Sequence, residues 1–295
     1  MAYPTVSAPY GLKPVNLIGG QVFAGSTRNL PIQYGYATNI FYGDFVSITR
    51  GFVTRLAVTD GGTAATGAVN YGQTGIFLGC SYTNPLTKQK QFSQYWPAST
   101  LAGDAVAIVV DDPDTIFRVA VVTSQGGTTI GSASRAMIGL NMTISNLAGS
   151  TATGNSSNAV LSSSAATTPA LPVRVIDVVP DTAVSLGTAT WSSGTTTLTT
   201  SALPSALPVG TEVGFLAANG QYVGTANWVS TAATAGATSV VVNAQYGVVN
   251  AGGAAATATA IPAGSTLVFT QFPEVLVKIN FGFHEYYNAT GTSTA

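Results

Sequence analysis

The chain has 295 residues, with ten Lys and Arg against eleven Asp and Glu and a formal net charge of −1. Only 7% of the residues are charged while 46% are hydrophobic; ordinary globular domains carry about 25% charge, so the usual densely charged surface is excluded, and a basic stripe for nucleic acid with it. No apolar run reaches the roughly 18 residues of a membrane span, and the first twenty residues, with Pro4, Pro9 and Pro14, lack the charged and apolar regions of a secretion signal.

The surface must then be hydrated by Ser, Thr, Asn and Gln or be covered by other subunits, and the depletion of charge at obligate interfaces favours covering. The expectation is a homo-oligomer, a dimer or trimer, made in the cytoplasm, with no direct contact to nucleic acid or membrane.

Residues 1–32 read as an extended N-terminal arm. Tyr3-Pro4, Ala8-Pro9-Tyr10-Gly11 and Lys13-Pro14 remove amide donors and fix φ. Tyr3, Tyr10, Leu12, Val15, Leu17 and Ile18 are the arm's candidate contacts to a neighbouring subunit. From Ile32 onward, short apolar runs are broken by Gly35, Gly43 and Gly51 into a meander.

Gly75–Tyr82 is an apolar strand that holds Cys80, and a lone cysteine in such a strand behaves as a small hydrophobe. Thr83–Lys90 follows as a polar hairpin turn. Phe92, Tyr95 and Trp96 then cluster, either as a platform for a sugar or base or as rings capping one end of a barrel. Ala105–Val110 and Ile116–Val122 are apolar strands joined through Asp111-Asp112-Pro113-Asp114, and they read as the core hairpin.

Residues 123–170 are rich in Ser, Thr, Ala and Gly, and Leu171–Val179 restores a strand. Between Pro180 and Gln271 the only carboxylates are Asp181 and Glu212. A weak repeat there, Trp191–Leu198 with Pro208–Val213 against Ala235–Val240 with Pro262–Leu267, suggests a small β-sandwich inserted into the first domain. Pro273–Phe281 returns to the residue pattern of the first domain, with Val173–Val179 as its expected neighbour.

The expected class is therefore all-β, a barrel-like or sandwich domain with an inserted small β-domain. The domains run 1–32 (arm), 33–182 plus 272–288 (main β domain), 183–271 (inserted β domain) and 289–295 (tail).

Asp111, Asp112 and Asp114 are the best candidate metal ligands, since hard oxygens suit Ca²⁺. They lack the distal glutamate of an EF-hand, and Asp-Pro commonly starts a turn. The favoured reading is a strand-ending turn with one carboxylate pairing Arg118 or a neighbouring subunit. His284 is the sole histidine and lies far from Cys80 in sequence, so no local nucleophile–base pair appears. No catalytic residue and no cofactor is expected. Trp191 and Trp228 are candidate surface aromatics.

Gly75-Ile-Phe-Leu-Gly-Cys-Ser-Tyr-Thr83, Phe92-Ser-Gln-Tyr-Trp-Pro97 and Ala107-Ile-Val-Val-Asp-Asp-Pro-Asp-Thr-Ile-Phe117 resemble structural proteins of tailed bacteriophages, particularly phages of aquatic and cyanobacterial hosts. Pro9–Val15, Ile40–Val46 and Glu274–His284 extend the likeness, which leaves out the inserted segment. The resemblance implies a non-enzymatic virion protein at the capsid surface, of decoration or cement type, with the major capsid protein as its partner. A major capsid or tail protein, and a carbohydrate-binding adhesion module, are the alternatives.

Overall fold

The computed structural model describes residues 6–56, 74–180, 184–191, 196–204, 206–216, 222–243 and 266–287. The chain is almost all β, 44% strand and 4% helical. It divides into two compact units. One comprises Val6–Ser132, Gly139–Asp177 and Glu274–Ala295; the other holds Ala133–Ile138 and Val178–Pro273.

In the first unit the strands begin with β1 (Lys13–Leu17), β2 (Arg28–Pro31), β3 (Phe45–Thr49), β4 (Phe52–Arg55), β5 (Gly75–Thr83), β6 (Lys90–Ser93), β7 (Val106–Val110) and β8 (Thr115–Val122). One sheet has the order β2-β7-β5-β3-β4, with β6 added to the far half of β5. Ile32, just past β2, bridges Val53 of β4, so the sheet curls back on its own first strand. Ile32, Val46, Val53, Phe77, Cys80, Trp96, Ala107 and Val109 fill the interior. Each large apolar side chain buried there contributes about 1.5–3 kcal/mol.

The second sheet of this unit is built on β8. Seven of its eight residues are buried, so both faces are covered. The unit continues with β9 (Asn141–Met142), β10 (Ile144–Ser145), β11 (Ala159–Leu161), β12 (Val173–Val178) and, after the second unit's segment, β19 (Glu274–Ile279). The order is β10-β11-β8-β19-β12-β9. Only Thr143 separates β9 from β10, so the sheet's two ends are one stretch of chain and the sheet is nearly a closed barrel. β19 lies beside β12, the neighbour expected from their shared residue pattern.

β7 and β8 are not a hairpin. β7 pairs with β2 and β5, whereas β8 pairs with β19, β1 and β11. The acidic turn between them is a corner that carries the chain from one sheet to the next, and what fixes the corner is far away in sequence.

The N-terminal stretch also departs from an arm laid on a neighbour. β1 pairs antiparallel with β8, the register slipping between Pro14 and Asn16, as expected where proline brings no amide hydrogen. Upstream of it, Gly11 and Gly43 meet backbone to backbone. Both have positive φ (81° and 91°), and a Cβ on Gly11 would lie 2.7 Å from the Ser156 Cβ and 2.9 Å from the Gly43 Cα. The Leu12 amide donates to the Gly43 carbonyl at 3.1 Å, and the Leu12 side chain is fully buried.

In the second unit, β13 (Val184–Trp191), β14 (Thr197–Thr200), β15 (Glu212–Leu216), β16 (Tyr222–Trp228), β17 (Ser239–Val241) and β18 (Thr266–Gln271) form one sheet in the order β16-β15-β18-β13-β14-β17. Val229 and Val242, which follow the two edge strands, bridge each other. The described residues of this unit thus form one curled sheet around Leu198, Leu207, Val213, Val229, Val240, Val242 and Phe269, where a sandwich was expected. Residues 133–138, expected in the main domain, go with this unit: Ala133 bridges Phe272, and Arg135 pairs with Glu212 at 3.0 Å. Pro262–Ser265 of the repeat, and the 289–295 tail, lie outside the described residues.

Candidate interaction surface

The acidic turn holds three distant segments together. Asp112 Oδ1 accepts the Asp114 amide at 2.9 Å, closing a short side-chain turn around Pro113. Asp111 Oδ2 accepts Arg28 Nε at 2.6 Å and also the Tyr286 hydroxyl. Asp114 pairs with Lys278 Nζ at 2.7 Å, and its carbonyl takes the Ile18 amide at 3.0 Å. Asp111 and Asp114 are therefore engaged by protein partners. Arg118 is not one of them: both its Nε (2.9 Å) and its Nη2 bind Glu274. Among the described residues no group of three His, Cys, Asp or Glu side chains is arranged to hold a metal ion.

Around this turn the surface is aromatic. Lys278 Nζ lies 4.5 Å above the Phe281 ring, Phe281 meets Tyr287 edge to face at 4.8 Å, and Arg28 lies 4.9 Å over Tyr286. Phe281, Tyr286, Tyr287 and Ile18 are each about half exposed, at 51, 45, 54 and 49%. Beneath them His284 is 1% exposed; its Nδ1 accepts the Tyr286 amide at 3.3 Å, while Nε2 has no hydrogen-bond partner of good geometry. Burial pushes its pKa down, opposed by the Asp111 carbonyl and by the Asp111 and Asp112 carboxylates.

At the other end of β7 stands the β5–β6 hairpin. Asn84 organises its tip: Oδ1 accepts the Leu86 amide at 2.8 Å and the Thr87 amide at 3.2 Å, and the Asn84 carbonyl takes the Lys88 amide at 2.9 Å. Asp104 braces the hairpin's base, accepting the Thr83 amide (2.9 Å), the Thr83 hydroxyl (2.7 Å) and Lys90 Nζ (2.9 Å). The Thr83 amide, then Lys90, hold its carboxyl well below the usual range. On this braced hairpin Leu86, at the tip, is 89% exposed and Phe92, in β6, is 81% exposed. Lys90 and Phe92 share the outward face of β6, as the two-residue period of a strand requires.

The aromatic trio read as one cluster separates. Trp96 is fully buried, edge to face with Tyr82 at 5.4 Å and donating Nε1 to the Tyr36 carbonyl; Tyr95 stacks on Phe41; Phe92 points out. The candidate arm contacts separate too. Leu12 is core, Tyr10 donates its hydroxyl to Glu274, Leu17 is half-buried in β1, and Val15 and Ile18 are exposed. Tyr3 lies outside the described residues. Cys80 is buried, its thiol pushed up to about 12 by burial, which leaves it protonated and inert at neutral pH.

In the second unit Trp191 ends β13 opposite Leu198. Trp228 is 43% exposed at the end of β16. Its amide donates to Asn243 Oδ1 at 2.9 Å, and its carbonyl accepts the Asn243 amide. Thr197, Thr199, Ser239 and Val241 form the exposed side of the β14–β17 pair, a face without charge.

The signal for the Leu86/Phe92 end lies in Asn84-Pro85 and the alternation of Lys90 and Phe92, a pattern that marks a turn and a strand but assigns no contact role by itself. Comparison with family models, curated proteins and solved structures finds no match for this chain.

Proposed function

We propose that this is a structural protein of a tailed-phage virion, which binds the head surface and stabilises the capsid as a decoration or cement protein. The observation that carries this reading is the set of large apolar side chains held in water on internally braced segments: Leu86 and Phe92 of the β5–β6 hairpin at one end of β7, Phe281, Tyr286 and Tyr287 at the other. In a chain with 7% charge, such preset apolar ends suit repeated subunit contacts, because ordering them on binding costs little further entropy. Side-chain contact from these two ends is the proposed route to assembly. The major capsid protein is the proposed partner, and stability would then rise with assembly by mass action.

Co-sedimentation with emptied, expanded heads of a virus that carries the protein tests this. Saturable binding, weakened by Leu86→Ser with Phe92→Ser, supports it; no binding rejects it.

A second reading rests on Trp228. A half-exposed indole beside an uncharged Ser/Thr face suits stacking on a sugar ring, and the second unit would then be an adhesion module.

A further inference from the structure

We propose that two copies of this chain associate head to tail, the Leu86/Phe92 end of one seated on the Ile18/Tyr287 end of the other. The inference rests on the subunit-contact reading above and names one of the contacts. Both ends belong to one unit. β7 joins them, its first residues beside the Asp104-braced hairpin and its last leading into the acidic turn. Five residues of strand place them about 17 Å apart along the chain direction, so one subunit can offer both at once.

Each end lacks what the other presents. Lys88 and Lys90 against Asp104 give the hairpin end a net charge of +1; Asp111, Asp112 and Asp114 against Arg28 and Lys278 give the turn and its paired cations −1. Leu86 projects from the hairpin tip and Phe92 from the outward face of β6, whereas Ile18 and the Phe281–Tyr287 stretch, with Phe281, Tyr286 and Tyr287, form two anchored segments. An apolar, basic projection thus meets an aromatic, acidic face. Because the two patches differ, the contact is heterologous, and successive copies either close into a ring or extend as a filament. Opposite charge also sets the direction of the encounter and makes it sensitive to salt.

Two variants of the full chain test the pairing. Leu86→Ser with Phe92→Ser disables the projection, and Ile18→Ser with Tyr287→Ser disables the face; all four side chains are exposed, and far-ultraviolet circular dichroism with urea midpoints checks that both variants fold. By analytical ultracentrifugation the wild-type chain should associate, less so at high salt, and each variant alone should sediment as the 29.8 kDa monomer. An equimolar mixture retains one working projection and one working face, and should yield a species of twice the chain mass. A wild-type chain that stays monomeric, a variant that self-associates as well as wild type, or a mixture that stays monomeric overturns the proposal. Heads take no part in the measurement, so failure of the capsid reading leaves its result unaffected.

Discussion

Asp104 and Asp111 stand just outside the two ends of strand β7, and each fastens a different part of the chain to it. Asp104 takes the Thr83 amide, the Thr83 hydroxyl and Lys90 and so holds up the β5–β6 hairpin; Asp111 takes Arg28 and the Tyr286 hydroxyl and so holds down the C-terminal aromatic turn. In a chain with eleven carboxylates, these two position the exposed apolar side chains at both ends of β7. Asp111→Asn keeps the shape but loses the ion pair with Arg28. With Arg28 half-exposed, the expected stability loss is small, about 1 kcal/mol or less, while the Tyr286 hydroxyl loses its charged acceptor. Tyr286 fluorescence quenching by iodide should rise in the variant; an unchanged value would separate the turn from the aromatic segment.

Asp44 is a fully buried carboxylate just before β3. It accepts the Phe41 amide at 2.9 Å and the Ser156 hydroxyl at 2.6 Å and pairs with Arg55 at 3.0 Å. Burial raises its pKa although Arg55, Ser156 and the Phe41 amide all pull it down. Asp44→Ala removes the acceptor of the Phe41 amide and the Ser156 hydroxyl and the carboxylate paired with the largely buried Arg55, whose Nη2 keeps only the neutral Asn146 and Leu147 oxygens. The expected cost is about 3–5 kcal/mol, read as the shift in free energy from urea unfolding; a loss below about 1 kcal/mol would mean the cluster is solvated.

His284 makes stability depend on pH. Its folded pKa lies below the unfolded value of about 6.5, so the fold favours the neutral ring. That contribution is complete above the unfolded pKa and is lost as pH falls from there through the folded pKa. The wild-type urea midpoint should therefore drop more between pH 7.5 and 5 than that of His284→Gln, whose side chain does not titrate. Parallel profiles for the two proteins would contradict it.

The N-terminal stretch predicts a sharp boundary for truncation. Removing residues 1–8 spares every contact described for Tyr10, Leu12 and β1 and should lower the urea midpoint far less than the longer truncation. Removing residues 1–18 deletes the fully buried Leu12 and the strand paired with β8, and loss of the Leu12 side chain alone costs about 2–5 kcal/mol. Gly43→Ala should fall in the same range or just below, about 2 kcal/mol or more, because the new Cβ would lie 2.9 Å from the Leu12 amide nitrogen at a φ of 91°.

The adhesion reading makes its own prediction. Trp228→Ala should abolish binding to a glycan array while leaving co-sedimentation with heads intact; a protein that binds no glycan, or binds it equally after the substitution, removes that reading.

Strands are readable in this chain because apolar runs and glycine breaks are local properties, and β5, β7, β8, β12 and β19 all appear near their expected positions. Partners are not. Whether β7 and β8 form a hairpin depends on where Asp111 and Asp114 find cations, and those are Arg28 and Lys278, 83 and 164 residues away. The fate of the aromatic trio likewise follows from burial that only the curled sheet defines, with Trp96 inside and Phe92 outside. The proline-rich start looks like an arm because its missing amides weaken pairing, yet β1 pairs with β8 through a slip in register, and the Gly11–Gly43 approach brings the segment onto the barrel.

The most direct test of the central claim is electron microscopy of the intact virion with a gold-conjugated antibody against this protein. A structural subunit of the head surface predicts label distributed over the head at regular spacing. Label confined to the tail, or absent from the particle, would contradict it.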